Sequence, residues 1–398
     1  MATQLDHALK HAPLRAPAPL FERGRPDSGP RSQAGFMQLL GALAFVFVLV
    51  LPFVDASAYT ISIATSALIY IMLCMGLNVV VGYAGLLDLG YIAFFAVGAY
   101  VSGIFTTVLG WPMWAAVPAT ILACIIAGII IGGPTLRLRS DYLAIVTLGF
   151  GEIIRITANN LEVTGGPSGI HGIPTWTFGS WSFRDGLDLF GIHFSGTILF
   201  YYFVAFIVAG VGIIGVGRLA RGKMGRAWKA VRDDEDAAEA MGINTYLTKI
   251  SAYIIGAIWA GLAGQLMATH LTAISPNSFH FLYSALILMA VVLGGMGSTP
   301  GVIIGALFVS LAPELLREFA EWRFLIFGVL LVVVMIFRPS GLWPATAVLP
   351  WLRRHKPQAW PATAPVESIE DPDEPDPGDP RPDDPSVGDP ADDREVRR

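Results

Sequence analysis

Few side chains in this 398-residue chain are of a type and in a place to do chemistry. In or beside its long apolar stretches the informative ionisable groups are Asp88, Asp141, Glu152 and Arg155. A charge buried in lipid is costly unless it is paired or wet, so each needs a reason to be there. Glu152 and Arg155 stand three apart, a spacing that lets them pair on one helix face, although Glu152 could equally line a path. Asp88 follows a glycine break, where it suits a helix cap or a place on a pathway. No ladder of carboxylates or histidines runs through the apolar stretches, which argues against proton-coupled transport. Sodium coupling through carbonyls and hydroxyls stays open.

Enzymatic chemistry is not expected. The seven histidines are scattered, with no nucleophile and base at a recognisable spacing, and no catalytic residue is assigned. Cys74 and Cys124 both sit inside apolar runs and read as small buried hydrophobes, so neither a disulfide nor a metal site is expected.

The remaining concentration of polar groups is KMGRAWKAVRDDEDAAEAMGI, residues 223–243, which lies between two long apolar runs. Asp233 to Glu235 suit a helix N-terminus; Ala237, Ala238, Ala240 and Met241 favour helix, and Gly242 suits its stop. A helix of about two turns is too short to persist alone in water, so it must dock on its own bundle or on another subunit. Ala237, Ala238 and Gly242 form a small-residue surface that permits close approach, and Glu239, Arg226, Lys229 and Arg232 offer ion-pair partners.

The setting that must hold this segment is a membrane. Hydrophobic residues make up 54% of the chain and charged ones 14%, against about 25% in soluble domains. Apolar runs at about 36–54, 58–82, 90–109, 112–132, 142–158, 197–217, 248–269, 281–297, 300–317 and 322–338 give an all-α polytopic fold of ten spans, with eight as the alternative. No cleavable signal precedes them. The Lys/Arg bias places the basic arm (1–35), Arg137 and Arg139, the loop 218–247 and the tail (351–398) on the cytoplasmic side, with both termini inside. The transmembrane body is then 36–350. Residues 159–195, with Trp176, Phe178, Trp181 and Phe183, read as an outer loop lying on the membrane interface. The Pro- and Asp-rich tail reads as disordered. From Glu367 onward it carries a net charge of −9 against −5 for the whole chain, leaving the rest near +4.

The 43 glycines cluster at 82–98 and 294–305. Such small residues allow helices in lipid to approach closely. Gly82 with Gly85, and Gly294, Gly295 and Gly297, are also close enough together to interrupt helix, which within a membrane requires protein or water to satisfy the freed backbone. Gly82, Gly85, Asp88, Gly90, Gly98, Asp141, Tyr142, Glu152, Gly294, Gly295 and Gly297 are therefore the candidates for a translocation path. Gly98-Ala99 and Gly305-Ala306 hint at an internal duplication.

The segment DAAEAMGI (236–243) resembles the coupling motif of permeases from ATP-binding-cassette importers, with Asp236 where that motif has Glu. GYAGLLDLGYIAFFAVGAY, LRLRSDYLAIVTLGFGEIIRI, GRAWKAVRDDEDAAEAMGIN and VVLGGMGSTPGVIIGA resemble, in order, blocks of the LivM-type permease of high-affinity branched-chain amino acid transporters. The block at Ser140-Asp141-Tyr142 favours LivM-type over its LivH-type partner. The resemblance implies a multi-pass protein of the bacterial inner (plasma) membrane. Its partners would be a LivH-type permease, two cytoplasmic ATPases and a periplasmic amino-acid-binding protein, with lipid around it and no nucleic acid. Gly225, Arg226, Asp236, Ala237, Ala238, Glu239 and Gly242 would couple to the ATPases. The chain itself would hold no cofactor, since it lacks a Gly-x-x-x-x-Gly-Lys-[Ser/Thr] phosphate loop and ATP would be used by its partners. Related permeases serve urea, short amides or other amino acids, so the substrate within this group stays open.

Overall fold

The computed structural model describes residues 48–52, 57–136, 140–178, 181–182, 187–189, 192–194, 196–316, 322–337 and 341–343. The basic arm, the acidic tail and most of the first apolar run lie outside the described residues, although 48–52 are helical. Each of the other nine apolar runs holds a helix. These are α1 (Ala58–Leu77), α2 (Ile92–Thr107), α3 (Met113–Thr135), α4 (Ser140–Asn160), α5 (Gly196–Arg221), α8 (Thr245–Leu271), α9 (Phe281–Gly294), α10 (Thr299–Leu315) and α11 (Arg323–Phe337). Two more helices, α6 (Lys223–Asp233) and α7 (Glu235–Ala240), occupy the charged segment. Among the described residues, four stretches are long and apolar enough to cross a bilayer: Ala58–Tyr83, Met113–Thr135, Thr197–Arg221 and Thr245–Leu271.

The centre of the bundle is α1 and α8. Ser57 caps α1 by accepting from the amide of Thr60 at 3.2 Å, and from Ile69 to Gly76 every α1 residue but Tyr70 is buried. Helix α8 carries Gly256, Gly261 and Gly264 on its buried side, and these let α1, α3 and α2 respectively lie against its backbone. A Cβ at Gly98 would fall 2.1 Å from the Gly261 carbonyl oxygen, so the α2–α8 crossing requires glycine on α2. Cys124 of α3 fills the space beside Gly261, and both cysteines are free and buried, as small apolar residues are. By contrast, α3 and α5 expose aliphatic stripes, Leu122, Ile126, Ile129 and Ile130 on one and Ile207, Val211 and Ile214 on the other.

Two features depart from the expected all-α reading. Helix α1 passes into a π-helical turn, Asn78–Tyr83, before the chain leaves helix at the glycine break, where Gly85 adopts φ +72°. Short strands also form: β1 (Ile170–His171) pairs antiparallel with β6 (Ala273–Ile274), β2 (Thr177–Phe178) with β3 (Trp181–Ser182), and β4 (Leu187–Leu189) with β5 (Ile192–Phe194). Strands of two or three residues are too short to show a period-2 pattern, so the segment reads as irregular loop in sequence. Trp176, expected on the membrane interface, is instead buried edge to face against Trp114, with centroids 4.8 Å apart.

Candidate functional site

The charged segment folds as two helices meeting at Asp234. In α6 the apolar positions Trp228 and Val231 are three apart and turn inward. The fully buried Trp228 indole donates from Nε1 to Ser251 Oγ of α8 at 2.9 Å. Gly225 is buried at the α5–α6 corner, where a Cβ would lie 2.3 Å from the Ala220 carbonyl oxygen. Gly225, expected among the coupling residues, packs closely inside this chain. Arg226 is exposed, and its Nη1 reaches the Arg221 carbonyl at 3.2 Å.

Asp234 ends α6 and caps α7, its carboxylate accepting from the Ala237 amide at 2.9 Å. At the other end Gly242 adopts φ +82° and donates to the Glu239 carbonyl at 2.9 Å, a glycine stop at the place the sequence requires. Glu235 forms an ion pair with Lys249, a buried residue in the first turn of α8. This settles on which surface the short helix rests: at least one face is docked on its own bundle. Of the expected small-residue surface, Ala238 is 4% exposed and packs inward, on the side that docks on this chain's own bundle. Asp236, Ala237, Glu239 and Gly242 face solvent, joined by Met241, which is 83% exposed. The exposed surface is therefore Asp236, Ala237, Glu239, Ala240, Met241 and Gly242.

The two glycine breaks meet each other and meet α6. Asn78 Oδ1 accepts from the Gly297 amide at 2.8 Å, joining the π-helical turn to the α9–α10 loop. Because the Gly297 nitrogen is a donor, the side-chain amide must present its oxygen there. A Cβ at Gly82 would lie 2.0 Å from that oxygen. Tyr83 lies 3.2 Å, hydroxyl to hydroxyl, from Thr299 at the start of α10, and its ring lies beneath Lys229 Nζ at 5.7 Å from the centroid. Arg232 Nη1 donates to the Gly82 carbonyl, and the Arg232 stem fills the space beside Gly85, which sits at φ +72°.

The remaining path candidates do not form one lining. Asp88 is buried and its Oδ1 accepts from the Gly90 amide at 2.8 Å, the cap-like role allowed for it. Burial pushes its carboxyl up to about 6, opposed by the Gly90 amide and by the hydroxyls of Tyr253 and Thr147. Oδ2 makes no hydrogen bond of normal geometry. Gly90 touches the backbone of Thr147 on α4, and Gly98 that of Gly261 on α8. Gly294 packs on Gly301 of α10, while Gly295 adopts φ +118°. Glu152 and Arg155 pair at 2.8 Å, as their spacing allows. Tyr142 is 63% exposed, and the Asp141 side chain lies outside the described residues.

Sequence reasoning missed Asn78, Tyr83 and Lys249, and it gave Lys229 and Arg232 only as ion-pair partners for docking on the bundle or on another subunit. Asn78 had a usable signal: a lone amide in the apolar run YIMLCMGLNVVVG must find a partner across the bundle. The reach of the Arg232 guanidinium to Gly82, from a residue that stays exposed, had none, since it shares its charge with five basic neighbours in 218–229.

The family model described as "Branched-chain amino acid transport system / permease component" matches residues 59–337. The chain is 42% identical over 352 residues to the "High-affinity branched-chain amino acid transport system permease protein LivM" of Escherichia coli, covering 82% of each. It is also 42% identical to the LivM protein of Salmonella typhimurium, over 85% of this chain and 80% of that one. The LivH permease of Salmonella typhimurium is more distant, 26% identical over 69% of this chain and 90% of that one. No solved structure matches the chain. With a family model covering most of its length and LivM relatives at this identity, the chain belongs to the permease components of branched-chain amino acid transport systems.

Proposed function

We propose that this chain is the LivM-type membrane subunit of an ATP-driven importer of branched-chain amino acids, and that α6–α7 is where its ATPases act. The observation that carries this is the solvent-facing surface of α7. A helix of six residues cannot hold its shape by propensity, yet this one is capped at both ends, tied to α8 by an ion pair, and leaves Asp236, Ala237, Glu239 and Met241 outside. A rigid knob of this kind suits the reception of force from another subunit.

Ten spans with both termini cytoplasmic fit this reading. On that parity the break at 82–90, the loop 295–298 and the segment 218–247 all emerge on the side of the ATPases, consistent with their contacts. The body would be 36–350, flanked by a cytoplasmic arm (1–35) and tail (351–398), in the bacterial inner membrane. A LivH-type permease would complete the path, a periplasmic binding protein would deliver leucine, isoleucine or valine, and ATP would bind only on the partners. In thermodynamic terms the ATPases bias a two-state bundle by contacting its states differently.

The test is uptake of radiolabelled leucine by proteoliposomes holding the assembled importer and its binding protein. ATP-dependent uptake without an ion gradient is expected. Uptake that an ion gradient drives without ATP would overturn the reading.

A further inference from the structure

The segment that would receive force and the two breaks in the bundle are joined by a short bridge of side chains. Arg232 closes α6, two residues before the Asp234 cap of α7, so the knob and this guanidinium are nearly continuous along the backbone. Among the described residues, its hydrogen-bond acceptor is the Gly82 carbonyl. The carbonyl lies in a π-helical turn, a geometry that is uncommon and frequently functional because the extra residue can be gained or lost by a local shift. The stem of Arg232 is equally constrained: a Cβ at Gly85 would lie 2.7 Å from its Cγ. On the far side, Gly297 fits closely, with Gly82 O at 3.2 Å and Arg232 Nη1 at 3.3 Å from where a Cβ would be. One guanidinium thus touches both breaks, which are separated by more than 200 residues of chain.

We propose that Arg232 is a positioning residue: through its hold on Gly82 and its place beside Gly85 and Gly297, movement of α6–α7 is passed to the junction of the two helix breaks. This rests on the importer reading above and names the contact through which it would act. The junction has the makings of a two-position element, which coupling between sites requires. Asn78 Nδ2 is buried there without a partner, a donor unused in this arrangement and available to another. Lys229, one turn earlier on the same helix, rides on Tyr83 and so moves with Arg232. Trp228 and Lys249 hold α6–α7 to α8 independently, so loss of the Arg232 contact leaves the knob in place while disconnecting it from the breaks.

The experiment compares the wild-type assembled importer with Arg232→Met, which keeps the stem and removes the donor, and with Arg232→Lys. ATP hydrolysis, ATPase co-purification and amino acid uptake are measured on the same proteoliposomes. For Arg232→Met, ATPase binding and hydrolysis persist while uptake per ATP falls about tenfold or more, the scale of one charge-assisted hydrogen bond. Arg232→Lys falls between. Unchanged uptake per ATP in Arg232→Met would overturn the proposal, and so would loss of ATPase binding in proportion to uptake, which would make Arg232 an anchor only. If Arg232→Met does not accumulate in membranes, Arg232→Leu supplies the same comparison, and failure of both to insert would show a folding role instead. A wild-type complex without ATP-dependent uptake would defeat the importer reading, whereas a working wild type with full coupling in the variants defeats only this one.

Discussion

The amide nitrogen of Gly297 and the side-chain oxygen of Asn78, 219 residues apart in the chain, lie 2.8 Å from each other in the interior of the bundle. This bond ties the π-helical end of α1 to the loop that starts α10. Replacing Asn78 with Leu takes away the acceptor of the half-buried Gly297 N–H, which costs on the order of 1 kcal/mol. Thermal unfolding of the purified Asn78→Leu protein in detergent should show a lowered midpoint. An unchanged midpoint would mean that water or a shifted backbone replaces the oxygen.

The α2–α8 crossing depends on Gly98. A leucine there has no room beside the Gly261 carbonyl, so Gly98→Leu should fail to accumulate as a folded protein in the membrane, while Gly149→Leu, where an added Cβ meets nothing within 4 Å, should accumulate normally. Equal levels of the two by fluorescence-detected size exclusion would contradict the packing described.

Asp88 sets a pH dependence with a definite sign. Its carboxyl titrates near 6 in the folded protein against an ordinary 3.8, so the folded state favours the protonated form. The stabilisation is complete below the ordinary value and is lost as pH rises through about 6. Asp88→Asn keeps the acceptor for the Gly90 amide and removes the titration. The wild-type unfolding midpoint should fall between pH 4 and 6, and that of the variant should stay flatter over the same window. Parallel pH profiles would refute the assignment.

The two alanines of α7 should behave differently. Ala237 faces solvent, so Ala237→Arg should fold and insert yet lose ATPase co-purification. Ala238 packs inward, so Ala238→Arg should destabilise the segment itself, since a buried arginine without a partner costs several kcal/mol. Limited proteolysis of the 218–247 loop separates the cases: Ala237→Arg should resist cleavage as the wild type does, and Ala238→Arg should not.

How much of this was legible in the sequence follows from the physics of each element. The long helices were legible because lipid demands about 20 apolar residues per crossing, and the stop at Gly242 because a glycine after an alanine-rich turn has one common use. The fate of α7's faces was not, since a six-residue helix has too few positions to show which side is buried. The glycine breaks could be placed, but not the fact that they touch each other, because no local pattern encodes a contact across 219 residues. Gly90, Gly98 and Gly294, named as path candidates, sit where backbones touch, a contact that no local pattern encodes.

The central claim is that the outer surface of α7 receives the ATPase, and Met241 is the position that tests it most directly. A photo-reactive amino acid placed at 241 in the membrane-embedded importer should cross-link to a nucleotide-binding subunit, identified by sequencing the adduct. The same probe at Ile126, on the aliphatic stripe of α3, should give only lipid adducts. Cross-links from 241 that are confined to lipid or to this chain itself, in a preparation that imports amino acid with ATP, would contradict the account.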